Sequence, residues 1–223
     1  MADSPRTRLQ TDERRAQLLD LGLRLFSSRA YDEVSIDAIA EEAGVSKGLL
    51  YHYFGGKRAY YLATIEYAAG RLLASMDAVP DTLVGPPRAT AMLTAYLEFV
   101  EDHGAAYGTL LSGGVGSDPE VTGVLETSRR QVAARIMRDA GLQAPRPVFE
   151  LAVRHYIGGV EAVVLDWHAR RQLSREQLLA FLVGQIRATL EVAVTLDPDA
   201  SVHLEGTPSL VTRPAAEPYS PDR

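Results

Sequence analysis

The chain has 223 residues and no cysteine, which excludes disulfides, thiolate nucleophiles and zinc sites built on thiolates. Hydrophobic residues make up 46% of it and charged residues 23%, which is typical of a globular protein with a core of its own. The whole formal net charge of −6 falls after residue 60, because the first 60 residues hold nine basic and nine acidic side chains.

The start of the chain is polar and lacks the apolar stretch of a secretory signal. No run approaches about 18 apolar residues, so we expect no membrane span and a cytoplasmic location. The composition of residues 1–10 predicts a flexible basic arm. Its arginines either keep the chain soluble or reach the phosphates of a nucleic acid.

The next segment, residues 11–56, predicts three helices. The first is expected to run to about Arg29. Ser35 is the expected N-cap of the second helix, and Gly44 is expected to end that helix in a left-handed turn. Ser46 can then cap the third helix. Two short helices joined by a glycine-containing turn are a helix-turn-helix candidate.

The third helix has two unlike faces at 3.6 residues per turn. Leu50 and Phe54 lie one above the other and are expected to pack inward. The opposite face carries a cation, a bare backbone position and two rings with polar tips: Lys47, Gly48, Tyr51 and His52. Such a face suits a DNA groove, although an ordinary helical hairpin with half-buried aromatic residues gives the same pattern.

The DNA-binding motif of the TetR family of transcriptional regulators resembles residues 45–54 of this chain (VSKGLLYHYF) together with Lys57. The similarity extends back through Leu25 and Phe26 to about Thr11. It implies a three-helix DNA-binding head and DNA contacts from Ser35, Ser46, Lys47, Gly48, Leu49, Tyr51, His52, Tyr53 and Lys57. The family usually has a small hydroxyl residue where this chain has Leu49, so the sequence preference of its relatives does not transfer.

The body of the chain, residues 57–196, is expected to be all helix. Its first helix begins at Lys57 and runs to about Met76 or Val79, with apolar residues on more than one side, so it should link the head to the remaining helices. Further helices are predicted at residues 88–103, 107–111, 119–140, 148–171 and 175–195. Residues 197–223 hold five of the twelve prolines and are expected to be a disordered tail.

The last two helices are the most apolar pair in the chain and are joined by a short loop, which predicts an antiparallel hairpin. Such a hairpin either pairs with its two-fold copy as a four-helix bundle or completes a monomeric core. We expect the homodimer, because so much apolar surface has few other uses. The residues expected at the interface are Gly158, Gly159, Leu178, Leu182, Ile186 and Leu190.

Catalytic and metal-binding patterns are missing from the sequence. His103, His155 and His168 are isolated from one another, and neither His-Glu-x-x-His nor Gly-x-Ser-x-Gly occurs. We therefore expect no enzymatic activity, no cofactor and no metal site.

The resemblance to TetR-like regulators also implies a pocket for a small-molecule effector among the middle helices. The candidate wall residues are Met92, Tyr96, Phe99, His103, Tyr107, Leu111, Met137, His155, Tyr156, Val160 and Trp167. Each of them also fits an ordinary core, since aromatic residues and methionines at helical spacing are common there. An aromatic, moderately apolar effector is expected, with His103 or His155 orienting a polar group.

The sequence therefore predicts an all-α protein with an N-terminal three-helix, helix-turn-helix head and a C-terminal helical body for ligand binding and dimerisation. The expected function is that of a homodimeric repressor that binds a palindromic DNA operator and is released by a small-molecule effector. Two alternatives stay open. One is a protein-interaction module with a vestigial helix-turn-helix, and the other is a DNA-binding activator.

Overall fold

A computed structural model of the chain describes residues 5–111, 119–142, 144 and 146–200, and it describes no side chains for residues 5–11 and 104–111. Within these residues the fold is all-α, without a strand, which confirms the predicted fold class. The α-helices there are α1 Pro5–Ser28, α2 Ile36–Ala43, α3 Lys47–Phe54, α4 Lys57–Asp77, α5 Gly85–Leu111, α6 Pro119–Asp139, α7 Pro147–Arg170 and α8 Arg175–Leu196. A short 3-10 helix, Tyr31–Glu33, connects α1 to α2.

The helix-turn-helix forms through local caps and a glycine turn. The Ser35 hydroxyl accepts a hydrogen bond from the Ala38 N–H at 3.1 Å, and the Ser46 hydroxyl accepts one from the Leu49 N–H at 3.2 Å. Gly44 has a φ of 63°, the left-handed conformation that ends α2. The predicted N-caps of α2 and α3 and the predicted glycine turn at the end of α2 are thereby confirmed.

The head has a hydrophobic core of its own, to which α4 contributes its first turns. Leu50 and Phe54 of α3 are buried in this head core, as predicted. Tyr60 of α4 is fully buried, and its hydroxyl donates a hydrogen bond to the Leu18 carbonyl at 2.5 Å. Helix α1 approaches α4 closely at Gly22, where a Cβ atom would lie 2.8 Å from the Tyr60 hydroxyl.

Helices α4 and α6 connect the head core to the larger core of the body. Val121, in the first turn of α6, is buried in the head core. Beside it, Arg58 of α4 lies 3.0 Å from Glu120 of α6. Near the other end of the same two helices, Arg135 lies 2.6 Å from Asp77. The two helices therefore lie side by side from the head into the body.

Two helix predictions are wrong. Helix α1 begins at Pro5, so residues 5–10 are helical instead of forming a flexible arm. Proline is compatible with the first turn of a helix, and no helix-breaking residue follows it before Thr11. The region expected to form two helices is the single helix α5, because Gly104 lowers helix stability by only about 1 kcal/mol and does not end it.

The prediction of a disordered tail from residue 197 is wrong for its first four residues. Asp197 lies 2.5 Å from Arg146, whose guanidinium also donates to the Asp199 carbonyl at 3.3 Å. Ala200 is buried in the body core. These contacts hold residues 197–200 against the body. The remainder of the predicted tail, residues 201–223, and the first four residues of the arm lie outside the described part of the chain.

Helix α8 is long and apolar enough, by length and composition, to cross a membrane. It packs one side into the body core, and it carries charged residues such as Arg187 and Glu191. The core helix of a globular protein has the same composition, so α8 does not indicate a membrane span. Only 22% of its most apolar 18-residue stretch is buried inside the chain, which leaves apolar surface on its outer side.

Candidate DNA-binding surface and effector cavity

The candidate DNA-binding surface is the exposed side of α3, called here the α3 face, formed by Lys47, Gly48, Tyr51 and His52. Leu49 and Tyr53 lie at its edges and are half-buried. Leu50 and Phe54 hold the helix from beneath, because both are buried in the head core. The α3 face therefore has a fixed orientation and offers ring edges, a cation and accessible backbone to a partner.

An acidic side chain of α2 holds Lys47 at the start of the α3 face. The Lys47 Nζ lies 2.5 Å from the Asp37 Oδ1, and both side chains are more than half exposed. Ion pairs this exposed contribute little to stability. Lys47 can therefore exchange Asp37 for a DNA group at small cost, while the pair weakens the positive potential of the α3 face as long as it persists.

The other predicted DNA contacts also have roles inside the head. Ser35 and Ser46 use their hydroxyls as helix caps and remain exposed. Lys57 is half-buried, with its Nζ 4.2 Å from the centroid of the Tyr31 ring. This cation–π contact joins the start of α4 to the segment between α1 and α2.

A cavity of about 430 Å³ lies among α4, α5, α6, α7 and α8. Its volume falls within the roughly 300–1,000 Å³ of sites that bind small molecules. Five of the predicted wall residues line it: Met92, Tyr96, Phe99, Tyr156 and Val160. The Tyr156 hydroxyl donates to the Leu182 carbonyl at 3.0 Å, and burial raises the pKa of Tyr156, so this side chain stays neutral.

Four other predicted wall residues lie outside the cavity lining: His103, Met137, His155 and Trp167. His155 is exposed on α7, while the Trp167 indole N–H donates to the Leu173 carbonyl at 2.8 Å. His103 stacks on Phe99, with 4.8 Å between the ring centroids. Neither histidine is therefore placed to orient a polar group of an effector. The side chains of two further candidates, Tyr107 and Leu111, lie outside the described part of the chain.

The candidate wall residues predicted from the sequence do not include the lining residues that α4, α6 and α8 contribute. They include Ile65, Leu72, Met76, Val132, Ile136, Val183, Ile186 and Leu190. The sequence does indicate a role for α4, because this helix is apolar on more than one side. One side packs in the head core, and another side lines the cavity. Two of the α8 residues, Ile186 and Leu190, are predicted from the sequence at the dimer interface instead.

Arg129 of α6 lies on the cavity wall within a cluster of carboxylates. Its Nε and Nη2 donate to Glu161 of α7, the shorter bond at 2.8 Å, and its Nη1 donates to Glu126 at 2.8 Å. These bonds raise the pKa of Arg129 and lower the pKa of Glu126, so both stay charged. Across the described residues, no group of three or more His, Asp or Glu side chains is placed to hold a metal ion.

The outer side of α7 and α8, called here the hairpin face, is the candidate dimer surface. It consists of Leu151, Gly158, Gly159, Phe181, Val192 and Leu196, all exposed. A Cβ atom at either glycine would meet no atom of the described residues within 4 Å, so neither glycine serves packing among them. The other predicted interface residues are instead buried in the body core of the single chain: Leu178, Leu182, Ile186 and Leu190.

Two sequence profiles match the chain. The profile of bacterial regulatory proteins of the tetR family matches residues 18–64. The profile of a tetracyclin repressor-like C-terminal domain matches residues 87–189. The first match covers the helix-turn-helix and the start of α4, and the second covers the helices that surround the cavity from α5 to α8.

Proteins similar in sequence to this chain are named as transcriptional regulators. The chain is 32% identical over 144 residues to the HTH-type transcriptional activator FasR of Mycolicibacterium smegmatis, a match that covers 62% of this chain and 66% of FasR. It is 35% identical over 82 residues to the HTH-type transcriptional regulator BetI of Brucella suis, which covers 37% of this chain and 41% of BetI. The chain thus spans less than two thirds of the length of these relatives. The solved structure of a tetR-family transcriptional regulator from Streptomyces coelicolor is 32% identical in sequence to this chain and superposes on it with a TM-score of 0.75. The match covers 84% of this chain and 85% of the chain in that structure.

Proposed function

The chain belongs to the TetR family of DNA-binding transcriptional regulators, and from this premise we propose that it acts in the cytoplasm as a homodimeric repressor. In this proposal the dimer binds a palindromic operator, and a small-molecule effector in the cavity releases it. The position of Ile65 supports the coupling most directly. This α4 residue is 1% exposed and lies both in the head core and on the cavity wall.

Two helices extend from the head to the proposed effector. Helix α4 continues from Ile65 to Leu72 and Met76 on the cavity wall. Helix α6 has Val121 in the head core, and Leu125 packs against that core and also lines the cavity. An occupant that separates these helices therefore acts on two of the contacts between the body and the head. It must bind the DNA-free arrangement more tightly, because equal affinity for both arrangements shifts nothing.

An activator is the second candidate, since the relative FasR is named an activator. Both candidates use the same α3 face, and they differ in what the bound protein does to transcription. DNA fragments selected by the purified protein would be placed before a reporter promoter and transcribed in vitro. Transcription should fall with added protein for a repressor and rise for an activator, whereas a vestigial helix-turn-helix would select no fragment.

Lys47→Ala and Asp37→Asn are expected to change DNA affinity in opposite directions. Lys47→Ala removes a donor to base edges and should cost roughly 1–3 kcal/mol of discrimination at the preferred site. Asp37→Asn frees Lys47 from its 2.5 Å ion pair and removes a negative charge beside the DNA. It should tighten binding several-fold at low salt, with a smaller gain as salt screens the charge. DNA retardation at several salt concentrations measures both effects.

Two further variants serve as controls for the lysine assignment. Lys57→Ala should weaken all DNA sequences about equally and lower the salt slope by about one unit, as expected for a phosphate contact. Asp166→Asn makes the same charge change as Asp37→Asn at an exposed ion pair with Arg170 on α7, and it should leave DNA affinity unchanged. The assignment is wrong if Lys47→Ala and Lys57→Ala weaken every sequence alike.

Val160→Phe is expected to block effector release while leaving DNA binding intact. Val160 is buried on the α7 wall of the cavity, so we expect the larger ring to enter space that the cavity already provides. The effector concentration needed for release should rise about tenfold or more, equivalent to about 1.4 kcal/mol of affinity. Val84→Phe makes the same enlargement at an exposed position before α5. If both variants are released from DNA at the same effector concentration as the wild type, the effector binds outside the cavity.

A further inference from the structure

We infer that the cavity selects a ligand without a formal charge, such as an alcohol, ketone or ester whose alkyl or ring portion covers the apolar wall. The inference rests on the proposed function, because it names the chemical class of the effector for that same cavity. Its basis is the pairing of the charged side chains along the cavity wall.

Arg129 is already occupied by protein carboxylates. Each of its three guanidinium nitrogens donates a hydrogen bond, two of them to Glu161 and one to Glu126. The Glu161 side chain is only 15% exposed. A ligand carboxylate that took Arg129 from Glu161 would leave this glutamate largely buried without a cation, which is strongly unfavourable.

The other two arginines on the wall also lie against carboxylates. Arg88 has a side chain that is 10% exposed, with its Nε 2.8 Å from the Asp139 carboxylate, and its Nη1 donates to the Pro80 carbonyl at 3.0 Å. Arg187 donates from its Nε to the buried Glu191 at 2.8 Å. Each guanidinium on the wall therefore faces a carboxylate within ion-pair distance.

These pairs disfavour a ligand cation as well as a ligand anion. A cation would have to compete with an arginine for Glu161, Asp139 or Glu191, and it would leave that arginine without its partner. An uncharged ligand leaves all three pairs in place and gains free energy by covering the apolar wall. Ser128, which also lines the cavity, offers a hydroxyl to a single polar group of such a ligand.

Three probes with the same ten-carbon chain and different head groups test the inference: decan-1-ol, decanoate and decylammonium. Their affinities for the full-length protein are measured by isothermal titration calorimetry at neutral pH, below the concentrations at which they aggregate. Decanol is expected to bind about tenfold or more tightly than either ion. Val160→Phe should weaken decanol binding, which assigns the heat of binding to the cavity.

Glu161→Gln should invert the preference, because Arg129 and Arg154 then share the single carboxylate of Glu126 and leave one positive charge for a ligand. Decanoate affinity is expected to rise about tenfold or more, with little change for decanol. Asp166→Asn removes the same charge from an exposed pair on the same helix and should change neither affinity. If Glu161→Gln does not fold, Asp139→Asn makes the same test at Arg88.

Two results would overturn the inference: either ion binding the wild-type cavity as tightly as decanol, or no binding by any of the three probes. The proposed function is tested separately by adding each probe to the complex with DNA. If decanol fills the cavity without weakening DNA binding, the proposal that the cavity binds the effector is wrong, whereas the inferred preference for an uncharged ligand stands. If decanoate binds more tightly than decanol and releases the DNA, the effector role of the cavity is supported and the inferred preference for an uncharged ligand is wrong.

Discussion

Gly22→Ala is expected to destabilise the head strongly, although it adds a single methyl group. The new Cβ atom would lie 2.5 Å from the Thr64 Oγ1 and 2.8 Å from the Tyr60 hydroxyl. Neither oxygen moves away freely, because the Thr64 hydroxyl donates to the Tyr60 carbonyl and the Tyr60 hydroxyl donates to the Leu18 carbonyl. Overpacking of such a buried contact costs about 1–3 kcal/mol.

Gly70→Ala is the matched control for this substitution. Gly70 lies on the exposed side of α4, and an added Cβ there would meet no atom of the described part of the chain within 4 Å. The same change should therefore raise the free energy of unfolding, by up to about 1 kcal/mol, through helix propensity alone. Urea unfolding measures both variants, and DNA retardation should show weaker binding only for Gly22→Ala. Equal stability of the two would contradict a tight contact between α1 and α4.

The helix-turn-helix could be predicted from the sequence almost residue by residue, because its signals are local. Ser35 and Ser46 cap the helices that begin directly after them, and Gly44 turns the chain within the motif itself. The orientation of α3 follows from helical periodicity, which places Leu50 and Phe54 on one side. No distant part of the chain is needed to decide any of these features.

The cavity could be predicted only in part, because periodicity identifies an apolar side without identifying what lies opposite. Tyr156 and Trp167 are both buried on α7, yet only Tyr156 lines the cavity. Trp167 lies near the end of the helix, where its indole N–H bonds to the Leu173 carbonyl. Which of two such residues meets empty space depends on how five helices pack, and this information is not local to either residue.

Helix α8 shows the same limit for the dimer surface. Leu178 and Leu182 point into the body core, whereas Phe181 and Val192 are exposed on the other side. A helix that is apolar on both sides does not indicate by composition which side its own chain covers. The tertiary structure makes that distinction. The candidate interface on α8 therefore includes Phe181 and Val192 instead of Leu178 and Leu182.

Phe181→Glu is expected to dissociate the proposed homodimer and to lower operator affinity about 100-fold or more. Phe181 is 48% exposed on the hairpin face, where Leu151 and Val192 are also exposed in the single chain. A two-fold interface uses the same surface on both copies, so the substitution places two glutamates in one apolar contact. Burying unpaired carboxylates there is strongly unfavourable. A monomer would then hold a single half-site, without the contacts of the second head.

Val84→Glu is the matched control for the dimer prediction, since it also puts a glutamate in place of an exposed apolar side chain, but lies before α5 and away from the hairpin face. Sedimentation equilibrium at micromolar concentration should give a dimer for the wild type and Val84→Glu, and a monomer for Phe181→Glu. Because Phe181 is exposed in the single chain, the monomer should keep the helical circular dichroism of the wild type. A Phe181→Glu protein that stays dimeric and binds the operator normally would show that the two copies meet through a surface other than the hairpin face.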